Sequence, residues 1–116
     1  METPDVLEVK KDLLPYRCSI LLADELFELQ FNHNASADLF TVDLYKDGEL
    51  ICAGEPIVYD VPLWKDVYKA DTFPALDIIP RDPSGVGNAV TFENLGETVL
   101  LIVDNDADGE EDEADG

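Results

Sequence analysis

The sequence is poor in basic residues and in long apolar runs, and each shortage excludes a class of function. Only 7 of the 116 residues are lysine or arginine, against 27 aspartates and glutamates, so the formal net charge is −20. A surface of that sign repels nucleic-acid phosphates and anionic membranes, and neither is expected as a partner. No apolar run approaches the roughly 20 residues that span a bilayer. The amino terminus also lacks the basic start and apolar core of a signal peptide, so a cytoplasm is the expected place of synthesis.

Cysteine and histidine are also scarce, so the sequence has few candidate residues for a metal centre or a nucleophilic catalyst. The two cysteines, Cys18 and Cys52, show no C-x-x-C spacing and fall on predicted strands, so we interpret them as reduced, packed thiols. His33 is the only histidine, and no nucleophile motif accompanies it. The sequence therefore predicts no catalytic residue and no cofactor. A small enzyme that uses His33 and nearby carboxylates is the least favoured alternative.

What the sequence does contain is alternation of apolar and polar side chains, which indicates β-structure. Phe40, Val42 and Leu44 alternate with polar neighbours, and a second alternating run follows Asp47-Gly48. Asp-Gly tolerates the positive φ angles of a tight hairpin. We therefore predict two strands with Asp47-Gly48 at the tip. Phe40, Val42 and Leu44 should face the core, while Asp43 should face solvent or a partner.

The other elements complete an all-β prediction. Four further strands are expected at residues 16–22, 26–34, 75–80 and 97–104. Between the hairpin and the strand at 75–80, apolar residues recur at helical spacing, which predicts a short helix or an irregular crossover. The expected fold is a small single-domain β-barrel or sandwich of about six strands with one short helical crossover. We assign residues 1–14 to an N-terminal lead and residues 15–104 to the β-domain.

Residues 105–116 are predicted to be a disordered acidic tail, because they contain almost no apolar side chain to bury. Four aspartates in and beside this tail approach the spacing of an EF-hand calcium loop and are the candidate metal ligands: Asp104, Asp106, Asp108 and Asp115. Asp115 replaces the usual bidentate glutamate, and Glu111 occupies a position that is normally apolar. A calcium- or ligand-binding β-domain that uses this tail is the alternative function.

Aromatic residues gather around the predicted crossover. Tryptophan and tyrosine are common anchors of protein interfaces, so Trp64, Tyr68 and Tyr59 are the candidate partner-binding residues. Packing in the core is the competing interpretation for the same residues.

Several short motifs follow one another in an order that is informative about family. They are F-T-V-D-L-Y at 40–45, the Asp47-Gly48 hairpin, G-E-P-I at 54–57, D-V-P-L at 60–63 and N-L-G at 94–96 before the last strand. This order resembles the plug proteins of contractile-tail phage baseplates, a family typified by a cyanophage baseplate plug. The resemblance covers about residues 15–104. The crossover, with Trp64-Lys65-Asp66, and the acidic tail depart from the family pattern.

The resemblance implies a function in assembly. A member of this family would be a virion component of the tail baseplate, in a phage or a phage-derived particle, without enzymatic activity or cofactor. Its partners would be other baseplate proteins, namely the hub, the wedge and the end of the tail tube, which it would meet in multiple copies. It would pass through the host cytoplasm during assembly. In isolation we expect a monomer, because the charge of −20 opposes self-association.

Overall fold

The computed structural model describes residues 5–69 and 72–104, and these form seven antiparallel strands in two sheets around one core. This confirms the predicted all-β fold and identifies it as a two-sheet sandwich. The strands are β1 (Val6–Leu7), β2 (Tyr16–Leu22), β3 (Glu25–Asn34), β4 (Leu39–Lys46), β5 (Glu49–Pro56), β6 (Asp77–Arg81) and β7 (Leu100–Asp104). A short 3-10 turn at Lys11–Leu13 is the only helical element of the described residues. None of the described helical structure has the length and apolar content needed to cross a membrane.

The larger sheet has the order β2-β3-β4-β5, so its four strands follow one another as hairpins. The β2–β3 turn is Ala23-Asp24, with φ angles of 52° and 70°. The β4–β5 turn is Asp47-Gly48, with φ angles of 56° and 81°, and this confirms the predicted hairpin tip. Two central residues with positive φ are typical of type I′ turns, whose twist matches that of the flanking strands.

The inner face of this sheet supplies a large part of the core. Phe40, Val42 and Leu44 are fully buried, as predicted, and three β3 residues opposite or beside them are equally buried: Phe27, Leu29 and Phe31. Asp43 lies on the outer face, where its Oδ1 accepts a hydrogen bond from the Gly54 backbone N–H at 2.7 Å. The alternation read from the sequence therefore gives the correct register for β4.

β5 is irregular, although the sequence pattern before Pro56 looks like an ordinary strand. Its pairing with β4 shifts twice, between Val42 and Leu44 and again between Leu44 and Tyr45. At the first shift Gly54 has a φ of 73°, a conformation that glycine adopts without steric cost. The Asp43 carboxylate binds the N–H of that glycine and so fixes the bulge.

The smaller sheet has the order β1-β7-β6, and β1 was not predicted. Val6 pairs with Ile102 and Leu7 with Leu101, while the Val103 N–H donates to the Asp5 carbonyl at 2.8 Å. Leu7 is buried in the core. Part of the segment assigned to an N-terminal lead is thus paired with β7.

The crossover, residues 57–76, connects β5 to β6, and its described part contains no helix. The prediction of a helical crossover was therefore wrong, whereas the irregular alternative was right. The Asp60 N–H donates to the Pro80 carbonyl at 2.6 Å, and the Leu63 N–H donates to the Ile78 carbonyl at 2.9 Å. Because these donors are engaged by β6, they are not available for the i→i−4 bonds of a helix.

The two cysteines lie at opposite edges of the larger sheet. Strand pairing aligns Cys18 of β2 with Leu29, Leu44 and finally Cys52 of β5. Three strand spacings separate the cysteines by about 14 Å, well beyond the Cα separation of a disulfide. Both are free thiols, and burial raises the pKa of each. This agrees with the interpretation of reduced, packed cysteines.

Candidate interaction surface

Exposed apolar side chains concentrate on the crossover. Val58, Val61, Val67 and Tyr68 are between 39% and 48% exposed. The Tyr68 ring lies 6.1 Å from the Phe73 ring, and the Phe73 ring lies 6.1 Å from the Trp64 ring. Phe73 and Trp64 belong to the core cluster. The exposed tyrosine is therefore supported from below by two buried aromatic rings.

Trp64 is buried rather than presented to a partner. It is 3% exposed and has a φ of 61°, a conformation that is strained for a bulky side chain. Its backbone N–H donates to Glu55 Oε2 at 2.7 Å, which ties the crossover to β5. Its indole Nε1 is buried and has no hydrogen-bond partner among the described residues. The sequence offered no signal for the contact with Glu55.

Tyr59 is half-buried and has a structural contact of its own. Its hydroxyl accepts a hydrogen bond from the Asp82 backbone N–H at 3.1 Å. Of the three candidate partner-binding residues, only Tyr68 is exposed; Tyr59 is half-buried and Trp64 is buried.

A groove of about 320 Å³ runs beside Tyr68. Its apolar walls include Pro62, Trp64 and Pro74, and Lys65 and Asp77 contribute one charge of each sign. Burial raises the pKa of the Asp77 carboxyl, and the negative charge of Asp104 raises it further. Asp104 faces Asp77 directly across the β6–β7 pair. Apolar walls with a few polar or charged groups are typical of concave binding sites.

The loop at 82–87 lies next to Tyr59 and is fixed by a carboxylate that the sequence analysis did not single out. Asp82 accepts hydrogen bonds from the Ser84 N–H at 2.8 Å, the Ser84 hydroxyl at 2.7 Å and the Gly87 N–H at 2.8 Å. These bonds, with that of the Ser84 hydroxyl foremost, lower the pKa of the Asp82 carboxyl. The D-P-S-G order at 82–85 is a turn signal that could have identified it.

His33 connects two loops through its side chain. Its described side-chain contacts are with Asp38, Phe40 and Phe92, and none of these is a serine or cysteine nucleophile. Its ring lies between Phe40 and Phe92, with centroid distances of 4.6 and 4.9 Å. Its Nε2 is 3.0 Å from Asp38 Oδ1, and that oxygen also accepts the Phe92 N–H at 3.0 Å. The hydrogen bond with His33 is the main reason that the pKa of Asp38 is lowered.

Of the four candidate calcium ligands, only Asp104 is among the described residues. Asp104 is the last residue of β7 and pairs with Asp77. Asp106, Asp108 and Asp115 lie outside the described residues, so the calcium loop stays a prediction. Within residues 5–69 and 72–104, no three histidine, cysteine or acidic side chains are grouped as a metal site.

Comparison with known proteins identifies the family. No curated protein matches the chain. The family model described as cyanophage baseplate Pam3 plug gp18 matches residues 5–106. That range contains both sheets and the crossover, and it confirms the resemblance seen in the sequence. The chain therefore belongs to the cyanophage baseplate plug family, whose description is that of a structural protein of the phage tail baseplate.

Proposed function

We propose that this protein is a non-catalytic plug that sits near the hub of a contractile tail baseplate, in a phage or a phage-derived particle. The observation that carries the proposal is the family match over residues 5–106. The family implies a place in the virion tail and association with other baseplate components. The hub, the wedge and the end of the tail tube are the partners we propose, with several copies of the plug in each particle.

The crossover is the surface through which we propose that these contacts form. Tyr68 and the exposed valines of this segment present apolar area that the described residues leave uncovered. The segment is held to β6 by two backbone hydrogen bonds and to β5 by the bond between Trp64 and Glu55. A contact surface that is already fixed loses little conformational entropy when a partner binds. Tyr68 would make the contact, with Phe73 and Trp64 as its support.

The charge suggests how association is controlled before assembly. With a net charge of −20, two copies repel each other, so the free protein would be a monomer in the host cytoplasm. A basic surface on a baseplate partner would offset this charge and speed the encounter. Association with that partner should therefore weaken as salt rises, while folding of the monomer should change little.

Purified tails that carry variants of this protein test the proposal. Tyr68→Ala should reduce the amount of the protein in tails while leaving its melting temperature nearly unchanged, because Tyr68 is exposed. Val86→Ala is the matched control, since Val86 is 84% exposed and lies on a different loop. Normal occupancy of Tyr68→Ala would show that the crossover is not the contact surface. Absence of the wild-type protein from purified tails would refute the plug function itself.

A further inference from the structure

Three of the four outer edges of the two sheets are short, covered or irregular. β1 has two residues. The outer edge of β6 is covered by the crossover through the hydrogen bonds from Asp60 and Leu63. β5 has two register shifts and ends at Pro56. Short strands, covering segments, bulges and proline are the devices by which proteins prevent unwanted pairing at sheet edges.

β2 is neither short nor irregular. Residues 8–10 contact it at the Tyr16 hydroxyl, which accepts from the Lys10 N–H at 2.8 Å and donates to the Glu8 carbonyl at 3.4 Å, and not at its outward backbone groups. All seven of its residues pair in register with β3, without a shift, and it contains no proline. The Ala23-Asp24 turn closes on the pair Leu22 and Glu25, which is hydrogen-bonded in a two-residue hairpin. Because hydrogen-bonded and non-hydrogen-bonded pairs alternate along an antiparallel ladder, Arg17, Ser19 and Leu21 direct their backbone groups away from β3. Among the described residues, no backbone group pairs with these three.

The core is also incomplete beneath β2. Tyr16, Cys18 and Ile20 point to the core face but are only half-buried. Their partners on β3 are Phe31, Leu29 and Phe27, which are at most 1% exposed. The apolar layer of the larger sheet therefore thins out at its β2 edge. One more strand beside β2 would continue this layer and cover those three side chains.

Arg17, the only charged residue of β2, does not block pairing of another strand at this edge. The Arg17 guanidinium lies 3.9 Å from the centroid of the Tyr45 ring on β4 and 3.7 Å from the carboxylate of Glu28 on β3. Arg17 therefore leans over the sheet and away from the open side of β2. A charge that points outward from an edge strand would have discouraged pairing.

We propose that β2 receives an extended strand from a different baseplate protein, which adds to the larger sheet as a fifth strand. This inference rests on the proposed function. Pairing of this kind is a common way for a protein to bind an extended peptide. The incoming segment would place apolar side chains beside Tyr16, Cys18 and Ile20. The protein that supplies the segment would carry a basic surface around it, since this chain has 27 acidic and 7 basic residues. A second copy is disfavoured as the occupant because it would bring another charge of −20.

Ser19→Pro tests the edge directly. The Ser19 N–H points outward, so proline there removes a donor to the incoming strand but no bond between β2 and β3. Ser19→Ala is the matched control, because it keeps the backbone N–H and loses only the side-chain hydroxyl. We expect both variants to melt near the wild-type temperature. Purified tails should contain at least tenfold less of Ser19→Pro and normal amounts of Ser19→Ala. Normal occupancy of Ser19→Pro would overturn the proposal.

The set of variants found in purified tails distinguishes failure of the β2 proposal from failure of the plug function. If Tyr68→Ala is lost from tails while Ser19→Pro is retained, the plug function stands and the role of β2 is refuted. If the wild-type protein and Ser19→Ala are both absent from tails, the plug function is refuted.

A structure of the assembled baseplate gives a second test that does not depend on folding of the proline variant. The expected result is a strand from a different chain, hydrogen-bonded to Arg17, Ser19 and Leu21. A β2 edge that faces solvent in the particle would overturn the proposal, and so would a second copy of this protein paired at β2.

Discussion

Replacing Trp64 by phenylalanine separates two opposing contributions of one residue to stability. The indole packs in the core against Phe73, which is stabilising. Its Nε1 is buried without a partner among the described residues, which is destabilising. Phenylalanine keeps an aromatic ring at this site and removes only the polar atom and part of the volume. Both residues meet the same positive φ, so the backbone strain cancels in the comparison.

The expected size of the effect follows from these two terms. Loss of roughly 40 Å³ of side-chain volume costs about 1 kcal/mol at ~24 cal/mol per Å³. Removal of an unpaired buried donor recovers about 1–3 kcal/mol. We therefore expect the free energy of unfolding of Trp64→Phe to lie between the wild-type value and about 2 kcal/mol above it. Trp64→Ala, the matched control, should lose about 3–5 kcal/mol because it also empties the site.

Urea denaturation followed by far-ultraviolet circular dichroism measures both variants. Fluorescence is unsuitable, because Trp64 is the only tryptophan of the chain. A loss of about 3 kcal/mol or more in Trp64→Phe, comparable with that of Trp64→Ala, would refute the reasoning. It would mean that the indole N–H stabilises the fold through a bond.

Three further predictions concern the core, a carboxylate pair and the tail. Val42→Asp should lower the free energy of unfolding by about 3 kcal/mol or more, because it buries an unpaired charge. Thr41→Asp, on the outer face, should cost much less, and a lower urea midpoint for Thr41→Asp than for Val42→Asp would contradict this assignment of faces. Asp77 has a raised pKa in the fold, so its carboxylate weakens the fold above that pKa, and the loss is recovered as pH falls below the ordinary aspartate pKa. Asp77→Asn should therefore melt at a higher temperature than the wild type at pH 7, and this difference should shrink as the pH falls and Asp77 of the wild type becomes protonated. A lower melting temperature of the variant at pH 7 would show that the Asp77 carboxylate stabilises the fold. Deletion of residues 106–116 should leave the melting temperature nearly unchanged, because the sequence offers only two alanines there to bury; a clear drop would show that the tail packs on the domain.

Elements that depend on neighbouring residues could be predicted from the sequence, and elements that depend on distant ones could not. The hairpin at Asp47-Gly48 and the inward side chains of β4 follow from local alternation and local φ preferences. β1 has only two residues and exists because β7 is available to pair with it, so no local pattern indicates it. The helical spacing of Leu63 and Val67 was misleading, since the N–H of Leu63 bonds to β6 instead.

The candidate site shows the same division. An aromatic group around residue 64 was visible in the sequence, but apolar character alone does not tell a buried ring from an exposed one. The structure places Trp64 inside and Tyr68 outside. The contact between Glu55 and the Trp64 N–H, and the hydroxyl of Tyr59 on Asp82, join segments that only the tertiary fold brings together.

Pairing of β1 with β7 has a consequence for how the chain folds during synthesis. The four strands of the larger sheet are sequence neighbours, so their hairpins can close as soon as residues up to 56 have left the ribosome. Val6, in contrast, must wait for Ile102, which emerges almost a whole chain length later. During that interval the apolar face that contains Phe27, Phe31 and Phe40 is uncovered. The nascent chain is thus most prone to aggregate between the closing of these hairpins and the emergence of β7.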